Sequence, residues 1–259
     1  MSELPADPVA LRSAFLHRGF VRYLRWSLPR RFHGVRVARE GVPHPEPGRP
    51  LIVYCNHPSW WDPAIMFVLG ETLLPAWQGY APMEAEALKQ YGVMRKLGVF
   101  GLEPGAKGAV RFLLVADHVL SDSRRALWIT AEGRFTDARI RPVRIRPGIA
   151  HLARRAACAT ILPLALDFTF WNESKPEALA RFGKPMSADG SVSVAAWQAR
   201  LETALEATME ALSADAVSRD PARFVSLLDG RTGVGGVYDG WRRAASWARL
   251  RRFDPSHER

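Results

Sequence analysis

The stretch 51–62 constrains this chain more than any other. A five-residue apolar run, Leu51-Ile52-Val53-Tyr54-Cys55, leads straight into Asn56-His57-Pro58-Ser59-Trp60-Trp61-Asp62. The run is too short for a helix, is rich in β-branched and aromatic residues and follows Gly48 and Pro50, so it reads as a buried strand. The ring of Pro58 clashes with a helical residue before it, which pushes His57 into extended backbone. Asp62-Pro63 reads as an N-cap with proline at the first helical position, opening a helix over 63–69 that stops at Gly70.

A histidine leaving a strand and an aspartate opening the next helix can meet across the turn, whereas residues five apart on one helix do not share a face. A carboxylate that accepts from one ring nitrogen fixes the tautomer, leaves the other nitrogen free to take a hydroxyl proton, and steadies the imidazolium that results. Imidazole ordinarily titrates near pH ~6.5, so such a pair suits general-base work near neutrality, typically worth roughly 10²–10⁴ in rate.

Asn56-His57-Pro58-Ser59-Trp60-Trp61-Asp62 after an apolar strand resembles the first motif, Asn-His-x-Ser-x-x-Asp, of the lysophospholipid (1-acylglycerol-3-phosphate) acyltransferase family. Three further motifs follow in order, so the resemblance covers roughly 50–212. The second falls at Leu97-Gly98-Val99-Phe100-Gly101-Leu102. In the family it ends in an arginine that holds the acceptor phosphate; here Glu103-Pro104-Gly105 takes that place, with Lys107 and Arg111 the nearest bases. An acid there repels a phosphate. The third, Thr130-Ala131-Glu132-Gly133-Arg134-Phe135-Thr136, is similar to Pro-Glu-Gly-Thr-Arg-Ser, with Ala131 replacing the proline and Arg134 one position early. The fourth, Ile161-Leu162-Pro163-Leu164, is like the apolar-Pro-apolar element that lines the family's acyl groove, and Gly183-Lys184-Pro185 follows as in the family.

The resemblance implies an α/β, glycerolipid-acyltransferase-like fold: a mixed central sheet flanked by helices, with an N-terminal amphipathic helical segment. It implies His57 as general base oriented by Asp62, and substrate contacts from Ser59, Glu132, Gly133, Arg134 and Pro163. The co-substrate is an acyl thioester, acyl-CoA or acyl carrier protein, with no bound cofactor or metal. The acceptor is a lipid, foremost a lysophospholipid such as 1-acylglycerol-3-phosphate. Glu103 and the shifted Arg134 leave an uncharged glycosylated or isoprenoid lipid alcohol open as the alternative.

Organisation follows from pattern and charge. With 259 residues, 47% of them hydrophobic, the chain can bury one substantial core. Lys and Arg number 36 against 26 Asp and Glu, which points to anionic partners. No helix-turn-helix, zinc module or aromatic RNA-binding signature supports nucleic acid among them. From Pro8 to Arg39 there is no acid, and arginines alternate with Phe15, Leu16, Phe20, Tyr23 and Trp26. Residues 1–40 therefore read as a basic amphipathic helical segment, able to lie in an anionic headgroup layer or to pack on the domain. Its arginines interrupt any signal-peptide apolar region.

Residues 41–217 read as the acyltransferase domain. Strands are expected over 73–80, 97–102, 126–129 and 159–170, and helices over 83–91, 107–121, 148–157 and 194–212. Pro163 inside a strand argues for a bulge or an edge. Arg139, Arg141, Arg144 and Arg146 continue from Arg134 as a basic strip suited to the phosphates of a coenzyme A donor, an acyl carrier protein or a membrane face. Residues 218–259 read as a basic tail whose Trp241-Arg242-Arg243 and Trp247 suit interfacial anchoring or a partner protein. No apolar run reaches the ~18 residues of a spanning helix, so the expectation is a peripheral protein on the cytoplasmic side of the membrane. Cys55 and Cys158 lie in apolar runs, which suits a reducing compartment.

Two other classes stand beside acyl transfer. A thioesterase or hydrolase would use Ser59 or Cys55 with His57, although neither sits in a Gly-x-Ser-x-Gly elbow. A non-catalytic binder of anionic membrane would rest on charge alone.

Overall fold

A computed structural model describes residues 7–156 and 158–230; the Trp/Arg-rich stretch around Trp241 lies outside them. In chain order the elements are α1 (Pro8–Leu11), α2 (Ala14–Ser27), β1 (Gly34–Ala38), β2 (Leu51–Cys55), α3 (Asp62–Leu73), β3 (Gln78–Glu84), α4 (Ala85–Gln90) and β4 (Val99–Leu102). There follow α5 (Gly105–Val119), β5 (Arg125–Thr130), α6 (Gly148–Arg155), β6 (Thr160–Thr169), β7 (Glu177–Phe182), β8 (Met186–Ser187), α7 (Val194–Ser218) and β9 (Phe224–Asp229).

The strand order is β4-β3-β5-β2-β6-β7-β1-β9, with β8 on β6. β2 pairs in parallel with β5 on one side and β6 on the other, while β6–β7 and β1–β9 are antiparallel. Every residue of β2 is buried. Leu51, Val53 and Cys55 pack with Ile65, Met66 and Leu69 of α3 and Leu24 of α2. Ile52 and Tyr54 face Phe112 of α5, Leu152 of α6 and Leu201 of α7. Helices cover both faces, so the strand reads as an unbroken apolar run instead of alternating. Tyr54 ties the layers together, its hydroxyl donating to the Leu201 carbonyl at 3.0 Å.

Several elements differ from the sequence expectation. Helix α2 ends at Ser27, and Gly34–Ala38, inside the segment expected to be helical, is a sheet strand. The cause is legible afterwards: Val35 and Val37 alternate with Arg36 at period two and are buried, while Arg36 bonds Glu177 on the opposite face. Strand β9 lies within the expected tail and pairs with β1, so the sheet extends beyond 41–217 at both ends. Helix α3 runs past Gly70 to Leu73. Gly70 ends nothing; a Cβ there would lie 3.2 Å from the Trp128 ring, so the glycine lets helix and sheet approach.

Pro163 sits inside β6, not at an edge. On the side away from β2, β6 pairs with β8 at Thr160 and Ile161 and with β7 only from Leu164 onward. The proline falls in the gap between partners, where its missing N–H leaves no ladder bond unmade, and its carbonyl accepts the Gly183 N–H at 2.9 Å.

A chain ending at residue 217 tests whether β9 belongs to the folded unit. It strips the antiparallel partner from β1 and uncovers the fully paired edge, so it should lose several degrees in Tm and aggregate on heating. An unchanged melting curve would show the strand to be dispensable.

Candidate active site

The carboxyl ends of β2 and β5 lie side by side, because Cys55 pairs with Thr130 and the ladder continues through the Ala131 N–H to the Cys55 carbonyl at 2.7 Å. Order reverses here: the chain leaves β2 toward β3 on one side and later enters β6 on the other, the kind of switch point where open α/β sheets bind ligands.

Asn56, fully buried, fixes the exit from β2. Its Nδ2 donates to the Leu166 carbonyl at 2.9 Å, and the Leu166 N–H donates to its Oδ1 at 2.8 Å. His57 is then held at both ends of its backbone. Its N–H donates to Glu132 Oε2 at 2.8 Å, and its carbonyl accepts the Thr136 N–H at 3.0 Å. The loop after β5 thus grips the residue after β2.

The imidazole meets Asp62 across the turn, with Nδ1 2.6 Å from Oδ2. The same oxygen accepts the Ser59 N–H at 3.1 Å. Asp62 heads α3 without capping it; Trp61 is the N-cap and makes no side-chain cap bond, because the carboxylate is turned back toward His57. With Nδ1–H given to an ionised Asp62, the network assigns Nε2 as the free acceptor. The His57 side chain is 17% exposed and that of Asp62 is not exposed at all. Phe135 lies against the imidazole, ring centroids 4.4 Å apart. That residue stands where the resembled third motif carries its arginine.

Burial pushes the Asp62 carboxyl above the usual carboxylate range, opposed by its bonds to His57 and Ser59. Its Oδ1 is buried and makes no hydrogen bond among the described residues. Burial also raises the Glu132 carboxyl, opposed by the His57 N–H and the Thr136 hydroxyl. The Cys55 thiol is driven well above its ordinary value by burial and then by the charges of Asp62 and Glu132, and its sulfur packs on that of Met66 at 4.0 Å. A thiolate nucleophile is disfavoured there. Ser59 Oγ accepts the Trp61 N–H at 3.1 Å and serves the turn.

The amides of Ser59, Trp61 and Asp62 already donate, to Asp62 Oδ2, Ser59 Oγ and the Ser59 carbonyl. Pro58 and Pro63 have no N–H. Those of Trp60 and Ala64 make no hydrogen bond among the described residues.

Of the residues singled out from sequence, His57, Asp62, Ser59 and Glu132 converge. Gly133, at φ +64°, and the exposed Arg134 adjoin them. Pro163 does not: it pairs with Tyr54, three residues before His57, and points toward Gly183. Glu103 is exposed at the end of β4, the sheet's edge. Sequence reasoning assigned no role to Asn56, Phe135 or Thr136. Asn56 stood in the first motif and Phe135 and Thr136 in the third, but nothing local in the sequence marks those last two as neighbours of His57. Two cavities, of about 470 Å³ beside Asp117 and Arg155 and about 310 Å³ beside His33 and Glu177, do not contain His57.

Among known proteins, a family model described as Acyltransferase matches residues 30–167, more than half of the chain. In fold the chain is similar to the 1-acyl-sn-glycerophosphate (LPA) acyltransferase PlsC from Thermotoga maritima. The TM-score is 0.56 at 15% identity, covering 77% of this chain and 80% of that one. No curated protein matches the sequence.

The raised Asp62 carboxyl fixes the sign of a stability prediction. The folded protein binds that proton more tightly than the unfolded chain, so the group's contribution is full below the ordinary carboxylate pKa and is lost as pH rises through the raised value. At neutral pH the buried charge costs stability. Asp62→Asn should therefore match or exceed the wild-type Tm at pH 7, with its margin shrinking toward pH ~4. A fall of several degrees at pH 7 would mean that the pair stabilises the fold instead.

Proposed function

The chain belongs to the acyltransferase family, and on that premise we propose that it moves a fatty acyl group from an acyl thioester to a hydroxyl of a lipid acceptor. The observation that carries the reading is the 2.6 Å bond between His57 Nδ1 and the buried Asp62, which leaves Nε2 at a partly open face. Nε2 takes the acceptor's hydroxyl proton as the oxygen attacks the thioester carbonyl. The new C–O bond forms, negative charge gathers on the carbonyl oxygen near the Trp60 and Ala64 amides, and the C–S bond then breaks. The imidazolium, steadied by Asp62, returns its proton to the departing thiolate. No covalent acyl-enzyme enters the scheme.

Acyl-CoA and acyl carrier protein both supply the required thioester. A lysophospholipid such as 1-acylglycerol-3-phosphate is the favoured acceptor, supported by the fold-level likeness to a protein named for that substrate. An uncharged lipid alcohol is the second reading, motivated by Glu103 in place of a phosphate-binding arginine. Peripheral membrane attachment on the cytoplasmic side is part of the proposal. Helix α2 exposes Phe15, Tyr23 and Trp26 beside arginines, the composition of an interfacial helix. No helix among the described residues is long and apolar enough to cross a membrane.

His57→Ala tests the reading. Transfer from acyl-CoA or acyl carrier protein to a lysophospholipid should fall by at least about 10³ while the circular dichroism spectrum and Tm stay close to wild type. Turnover within tenfold of wild type would remove His57 from the chemistry. A radiolabelled acyl group trapped on Ser59 would replace the scheme with a hydrolase-like one.

A further inference from the structure

Five arginines between residues 134 and 146 look alike in sequence and are unlike in the fold. Arg139 is neutralised by Asp137, with Nε and Nη2 2.9 and 2.6 Å from its two oxygens. Arg144 donates to Glu202 at 3.0 Å. Arg141 is spent on the carbonyls of Ala138 and Ile140, at 2.9 and 2.8 Å. Arg134 is exposed and makes no ion pair among the described residues, its charge only weakly lowering the Glu132 carboxyl. The guanidinium of Arg146 makes no hydrogen bond or ion pair among the described residues.

Arg146 is also placed. Its N–H donates to the Ala131 carbonyl at 2.8 Å, which fastens it to the loop that grips His57. Its side chain crosses directly over Gly133, where a Cβ would lie 2.2 Å from Nε and 2.7 Å from Cδ. The glycine's φ of +64° and its bare Cα are both needed for this crossing. Gly133 is the neighbour of Glu132, whose carboxylate holds the His57 N–H. An uncompensated guanidinium thus lies against the loop whose Glu132 holds the His57 N–H, in a chain where Phe135 and Glu103 occupy the places of the resembled family's arginines.

We propose that Arg146, carried over Gly133 and assisted by Arg134, is the phosphate-binding subsite of this protein, taking a phosphate ester of one of the two substrates. The inference rests on the acyl-transfer reading for the identity of those substrates. A guanidinium presents paired donors that match two phosphate oxygens, which an ammonium does not. The ester belongs either to the acceptor's glycerol phosphate or to the donor's phosphopantetheine, and the chemistry at Arg146 is the same.

Calorimetric titration separates the sources without needing turnover. Wild type, Arg146→Ala and Arg146→Lys are titrated with 1-acylglycerol-3-phosphate, with its dephosphorylated counterpart monoacylglycerol, and with coenzyme A. Arg146→Ala should weaken Kd about tenfold or more for one of the two phosphate ligands, leave monoacylglycerol unchanged, and be only partly rescued by lysine. Gly133→Ala should show the same selective loss, since the added Cβ displaces the arginine arm. Loss confined to 1-acylglycerol-3-phosphate assigns the acceptor, and loss confined to coenzyme A assigns the donor. Equal Kd in wild type and Arg146→Ala for both phosphate ligands overturns the subsite, as does an equal loss for monoacylglycerol. Arg146-dependent binding by a wild-type protein that transfers no acyl group would instead sink the acyl-transfer reading and leave the subsite standing.

Discussion

The site depends on one buried carboxylate. Asp62 has no exposure to solvent, yet one of its oxygens receives both the His57 imidazole and the Ser59 amide. Those two bonds hold the turn between β2 and α3 in the shape that aims Nε2 outward. Burial makes the charge expensive, and that expense is tolerable only because both donors are fixed before any substrate arrives. A more hydrated aspartate would be more comfortable and a poorer orienter.

The donors are fixed because the backbone around them is held from three directions. β2 is sealed between two parallel neighbours and two layers of helices, which leaves its end little freedom. Asn56 bonds the Leu166 backbone of β6 from one side, while Glu132 and Thr136 grip the His57 peptide from the other. Glu132 therefore acts on the imidazole through its backbone. In this chain Glu132 braces the backbone of His57, the proposed base.

Charge shows the same contrast between list and arrangement. The sequence is strongly basic, but three of the five arginines in the strip are occupied by Asp137, Glu202 and backbone carbonyls. Net charge speaks to the kind of partner; which cation is free to meet it is a matter of local pairing.

Much of the site was legible in advance because its determinants are local. A short apolar run reads as a strand, Pro58 extends the residue before it, and a histidine and an aspartate on either side of one tight turn have only a few ways to sit, all close. The strand at 34–38 was hidden because its alternation is brief and follows a long basic amphipathic stretch that reads as helix. The strand at 224–229 was hidden because its partner lies nearly two hundred residues earlier. Thr136, Phe135 and Arg146 reach the site only through parallel pairing of β2 with β5, a contact between segments some seventy residues apart. The sequence by itself determined the strand, the turn and the meeting of His57 with Asp62, because those are set by neighbours along the chain. Tertiary structure alone decided what braces that pair, what covers it and which arginines of the strip stay free among the described residues, because hydrogen-bond and charge partners depend on the register of distant strands as well as on nearness in sequence.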